Sequence, residues 1–150
     1  MMRKFLFFTV LAISFVSCDS DDEDMSEFKM AKAKWEKLQF EDYTIQENLW
    51  CFCGGLLEWT TKVVNNEKDT VYFDESKLYD GQTYQMVFEG AKTIDEAFDF
   101  IENFNTKKVA SFIVEYDEQF GFPKSIAIDY IENAVDDEIT YVFSNFTPTK

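Results

Sequence analysis

The chain has 150 residues, 29 acidic against 14 basic side chains, no histidine and a formal charge of −15. Such a surface repels nucleic-acid phosphates and anionic lipid headgroups, and the missing histidine removes Ser-His and Cys-His nucleophile pairs and most zinc sites. Aromatic residues make up 18% of the chain, with Phe dominant, which excludes a disordered polymer and points to one packed domain.

Residues 1–17 read as a targeting segment. Arg3 and Lys4 supply the basic end, and residues 5–16 form an apolar run too short to span a bilayer. Ser17 followed by Cys18 resembles a bacterial lipobox, in which the cysteine is lipidated and becomes the mature N-terminus. Phe15 and Val16 depart from the strictest form of that motif. An ordinary secretory signal that happens to hold a cysteine is the plainer reading. Cleavage there would remove two basic residues and no acid, leaving the mature chain more acidic still.

Residues 18–25 hold the run Asp19-Ser20-Asp21-Asp22-Glu23-Asp24 and are expected to be a solvated acidic tether. The run also resembles the short acidic signal that carries some Gram-negative lipoproteins to the outer cell surface. Residues 26–150 then form a single domain. A first helix is predicted over 26–38, capped by Ser26, with Phe28, Ala31, Trp35 and Leu38 on one apolar stripe. A strand over 43–53 alternates Tyr43, Ile45, Leu49, Cys51 and Cys53 on one side, with Glu47 interrupting the apolar series. Residues 59–64 and 70–74 pair as a hairpin around 65–69.

Residues 75–92 carry the weakest pattern, with a turn at Asp80-Gly81 and a short irregular strand over 83–88. This connection is one candidate for a lid or contact loop. The next helix is well signalled. Thr93 and Glu96 form a capping box, and Ile94, Ala97, Phe98, Ile101 and Phe104 make its buried stripe. A hairpin follows, with arms at 109–116 and 124–130 joined by the aromatic turn 117–123. A last strand covers 138–146. Helix, three strands, helix, three strands predicts an α+β fold. Two consecutive α-β-β-β units would form one antiparallel sheet with two helices packed on one face.

Three groups of residues are candidates for chemistry or contact. Cys51 and Cys53 project to the same face of a strand, so their sulfurs can meet one partner. They can close a disulfide, offer two thiolates to a soft metal, or serve as small buried side chains. An oxidising envelope favours the disulfide over free thiols. The acids Asp129, Glu132, Asp136, Asp137 and Glu138 cluster around a turn and are the candidate ligands for a hard cation. Their spacing matches no EF-hand loop, and a solvated acidic loop is the simpler account. Phe120, Phe122 and Pro123 form the aromatic turn, either a contact surface or a small cluster closing the hairpin. No glycine loop cradles a phosphate, and no cofactor is implied.

Taken together, Trp35, Asp42-Tyr43-Thr44, Cys51-Phe52-Cys53, Thr93-Ile94-Asp95-Glu96 with Phe98, and Tyr116-Asp117 with Phe120-Gly121-Phe122-Pro123 resemble the bacterial family called domain of unknown function 6174, a group of lipoproteins and secreted proteins. Asp129 and Asp136-Asp137-Glu138 also fit. Gly54 stands where the family has a proline, and Asn66-Glu67 where it has an Asn-Gly turn. The resemblance implies the α+β architecture and an envelope address, and no activity. The expectation is therefore a non-catalytic domain, lipid-anchored through Cys18 to the outer membrane, binding an envelope protein or ligand and no nucleic acid. The alternative is a thiol redox or metal-binding protein that uses Cys51 and Cys53.

Overall fold

A computed structural model of the protein describes residues 20–54 and 57–149. Cys18 and the targeting segment lie outside the described residues. Helix α1 is Ser20–Leu38, followed by strands β1 Tyr43–Cys51, β2 Glu58–Val64 and β3 Glu67–Tyr72. Helices α2 Tyr84–Gly90 and α3 Ile94–Asn103 come next, then β4 Ser111–Tyr116, β5 Pro123–Asp129 and β6 Ile139–Pro148. The six strands form one sheet in the order β3-β2-β1-β6-β5-β4, with every neighbouring pair antiparallel. The fold is α+β, two three-stranded meanders fused side by side through β1 and β6.

Several local expectations change. Helix α1 starts at Ser20, within the acidic run, rather than at Ser26, which lies inside the helix. Acids are favoured in the first turns of a helix by its dipole, and no glycine or proline interrupts the run. The helix stops where Gln39 takes a left-handed backbone, φ 51°. Phe28, Ala31 and Trp35 are buried as the stripe requires, while Leu38 at the helix end is exposed.

The first hairpin turns on two residues rather than five. Asn65 and Asn66 have φ 51° and 63°, and asparagine tolerates this left-handed region better than other non-glycine residues. Residues 83–88 are helical instead of extended. Thr83 caps α2 through its hydroxyl, which accepts from the Met86 N–H at 3.3 Å. The capping box on α3 is complete, with Thr93 and Glu96 each bonding the other's backbone N–H.

One face of the sheet makes the core. Tyr43, Ile45, Val63, Ile126, Ile128 and Phe143 meet Phe28, Ala31 and Trp35 of α1 and Ile94, Ala97 and Phe98 of α3. Each large side chain buried this way contributes roughly 1.5–3 kcal/mol. A smaller cluster of Trp59, Val71, Val87 and Ala91 seats α2 on the β2–β3 side. The opposite face carries Thr44, Gln46, Asn48 and Trp50 of β1, none of them buried.

Candidate functional site

Two strongly exposed aromatics stand at the C-terminal end of β1. Trp50 is 69% exposed and Phe52 81%. Cys51 and Cys53 are joined as a disulfide with their Cα atoms 5.1 Å apart. The closed ring restrains the backbone on either side of Phe52, so this aromatic is presented rather than left to fold back. On the uncovered face, Trp50 lies in register with Thr140 of β6, Thr140 with Ala127 of β5, and Ala127 with Ile113 of β4. Ile113 is itself 59% exposed, so the row ends in a second outward apolar side chain. Ile131 and Val135, in the connection between β5 and β6, are exposed at the same end of the sheet. A shallow cleft of about 450 Å³ opens beside Trp50, between Asn48, Cys51, Leu57, Glu58 and Lys77. Contiguous exposed apolar groups of this kind are uncommon on the surface of a monomer.

Behind that end, on the covered face, sits a polar centre. Glu47 is 0% exposed. Its Oε2 accepts from the Trp59 indole N–H at 2.9 Å and from the Lys92 backbone N–H at 3.0 Å. Its Oε1 has no hydrogen-bond partner and lies 3.9 Å from the Lys92 ammonium. The Lys92 ammonium in turn sits over the Tyr141 ring, 4.3 Å from its centroid, and near Phe100. Burial pushes the Glu47 carboxyl above the usual carboxylate range, with Lys92 and the two N–H donors pulling the other way. Burial also raises the Tyr141 hydroxyl, helped by the charge of Glu47.

The neighbouring contacts show what this centre does. The Tyr43 hydroxyl accepts from the Ile94 N–H at 3.0 Å, and burial raises its pKa. The Trp35 indole donates to Asp95 at 2.9 Å. Lys68 pairs with Glu96 at 3.1 Å and donates to the carbonyl oxygens of Phe88 and Ala91. The start of α3 is thus gripped by side chains from α1, β1 and β3, and the orphan donors of a helix N-terminus are met inside the fold. A carboxyl so enclosed positions a helix; it has no open side from which to receive a substrate. Glu47 was visible in the sequence only as an acid on the apolar side of β1. Its partners Trp59 and Lys92 carried no signal.

The aromatic turn proves to be packing, not a contact surface. Phe122 is 4% exposed, Pro123 is buried and Phe120 half-buried. Phe122 meets Trp35 and Phe146, and Phe120 meets Phe40 and Phe146. Asp117 shapes the turn by accepting from the N–H groups of Gln119 and Phe120 at 2.9 and 2.7 Å. Gly121 has φ 86°, and a Cβ there would stand 2.6 Å from the Ala31 carbonyl oxygen of α1. Only glycine lets the turn come this close to the helix and point its phenyl rings inward. Residues 75–92 are likewise not an open loop, since Val87 and Ala91 are buried.

The acids Asp129, Glu132, Asp136, Asp137 and Glu138 do not converge. Among the described residues no group of three or more acids or cysteines is placed to hold a metal ion. Asp129 Oδ1 and both Asp137 carboxylate oxygens are shielded without a hydrogen-bond partner, yet Asp137 as a whole remains half-exposed.

A family profile covers residues 27–148, the whole of this sheet, α2, α3 and most of α1. The chain belongs to a family of unknown function, DUF6174. No curated protein and no solved structure matches it. The residues that signalled DUF6174 fall largely at one junction. Trp35, Tyr43, Asp95 and the Thr93–Glu96 box hold α3, and Asp117 to Pro123 hold the turn against α1. They account for the architecture of this DUF6174 domain. Cys51-Phe52-Cys53 and the acids Asp129 and Asp136-Asp137-Glu138 lie instead at the exposed end.

Proposed function

We propose that the protein is a lipid-anchored interaction domain of the bacterial cell envelope. Cys18 carries the lipid at the outer membrane, and the Trp50–Phe52 end of the sheet binds an envelope protein or ligand. The observation that supports this reading is the outward display of Trp50 and Phe52 beside a disulfide that fixes the backbone between them. Aromatic side chains on a rigid frame carry much of the energy in protein interfaces and lose little entropy on binding. The acidic body of the domain favours a partner with basic groups around an apolar centre.

The test compares the native chain with Trp50→Ala and Phe52→Ala after crosslinking in intact membranes. Both side chains are solvated, so the variants should melt as the native chain does while recovery of the crosslinked partner drops. Unchanged recovery would remove the surface from consideration. Labelled palmitate should enter the native chain and not Cys18→Ala; equal labelling would end the anchoring reading. The exposed position of Cys53 supports a second reading, thiol–disulfide exchange or metal binding by Cys51 and Cys53. A disulfide that resists glutathione in a metal-free protein, measured by mass spectrometry, would dispose of it.

A further inference from the structure

The two edges of the sheet are built differently. At the β3 edge, Glu67, Lys68 and Asp69 break up the apolar sequence, and a register shift lies between Lys62 and Val63 on the adjoining strand. The Val71 N–H donates to the Tyr84 hydroxyl of α2 at 3.2 Å, and Lys68 reaches across to the backbone carbonyls of Phe88 within α2 and Ala91 at its end. That edge is closed by charge, irregularity and a covering helix, the usual protections of an exposed strand.

Among the described residues, the β4 edge has none of these from Ser111 to Val114. Among the described strands, β4 pairs with β5 alone. Its sequence is Ser-Phe-Ile-Val-Glu-Tyr, with no proline, no lysine and one charge. Its register shift comes only at the last step, between Glu115 and Tyr116. Beside it runs a groove of about 590 Å³ between the strand, the following turn and α1, lined by Val114, Glu115, Glu118, Glu27 and Lys124. Three of these side chains are carboxylates and one is a cation. Asp117 also borders the groove, with its carboxylate occupied by backbone N–H groups of the turn.

We propose that the β4 edge is a strand-addition site for an extended, lysine- or arginine-bearing segment of a partner protein. A free strand edge supplies main-chain hydrogen bonds, and pockets for alternate side chains supply selectivity. Side chains of an added strand would alternate between the outer face, where Ile113 and Glu115 project, and the helix side, where Val114 and Glu27 lie. Apolar groups flanked by cations suit both sides. A second copy of this chain is disfavoured, because two domains of this net negative charge repel one another and neither would supply the cations that the acidic groove favours. The site meets the Trp50 surface only at Ile113, and Trp50→Ala should leave the β4 edge intact, so the two readings fail independently.

The probe is a synthetic peptide of alternating valine and lysine, titrated into the protein and followed by backbone amide shifts and hydrogen exchange. Slowed exchange at the β4 amides is expected, with shifts along Ser111–Tyr116. Methylating alternate amide nitrogens of the peptide, or replacing its lysines by glutamates, should weaken binding by about tenfold or more. Glu115→Lys should do the same, and Glu115→Gln should do so more weakly; both sit at an exposed position, and their amide spectra would show whether the fold is kept. Equal binding of the methylated peptide, or shifts confined to other surfaces, would overturn the proposal. So would concentration-dependent protection of β4 without peptide, which would make a second copy the occupant.

Discussion

Glu47→Gln separates what the buried carboxyl contributes by shape from what it contributes by its proton. The amide keeps an oxygen for the Trp59 and Lys92 N–H groups, at 2.9 and 3.0 Å in the native chain. It cannot titrate. In the native chain burial outweighs the Lys92 charge and raises the Glu47 carboxyl above its unfolded value. The folded state therefore holds that proton more tightly than the unfolded state does. The stabilising contribution of the proton is fully present below the ordinary carboxylate range and is lost as pH rises through the raised value. Across that interval the stability of the native chain relative to Glu47→Gln should fall by about 1.4 kcal/mol per pH unit. Every other acid titrates in both proteins and drops out of the difference. Urea unfolding followed by tryptophan fluorescence between roughly pH 4 and 8 measures it, and Trp59 reports directly on the site. A difference that stays flat, or grows with pH, would mean that Lys92 holds Glu47 as a carboxylate, and the reasoning from burial would fail.

Other substitutions test the packing. Gly121→Ala should cost about 2–4 kcal/mol, part from a left-handed backbone and the rest from displacing α1; an unchanged urea midpoint would show that the turn can retreat. Phe122→Ala should cost about 3–5 kcal/mol and Phe120→Ala clearly less, as their burial differs. A native melting temperature in Phe122→Ala would return the turn to the surface. Tyr43→Phe leaves the Ile94 N–H enclosed without its acceptor and should cost about 1–3 kcal/mol, with faster exchange of that amide. Reducing Cys51–Cys53 opens a very small ring and should lower stability by only about 1–2 kcal/mol, checked by melting with and without reductant.

The elements that could be read from the sequence are those specified locally. The α3 capping box and the Phe28–Ala31–Trp35 stripe are periodic or contiguous, and both survive intact. Short α2 is different. Val87 is its only buried residue, and the stacking of Tyr84 on Phe73 supports it from outside the segment's own pattern. The Asn65-Asn66 turn lacks the glycine that usually announces such a hairpin. The aromatic turn was recognisable as a turn, but its inward orientation depends on the close approach of Gly121 to α1, which involves the other end of the domain. Glu47 is the clearest case. An acid at a core-facing position signals something, yet its meaning rests on Trp59 and Lys92, and no local rule names them.

The central β1–β6 pairing joins the first strand of the chain to the last. β6 follows the other five strands in the chain, so the middle of the sheet cannot close until all of them have been made. High separation between paired strands makes folding slow and leaves the growing chain open for longer. A truncation that removes β6 should lose both meanders together rather than leave the first one standing, because β1 and β5 would each lose a flank.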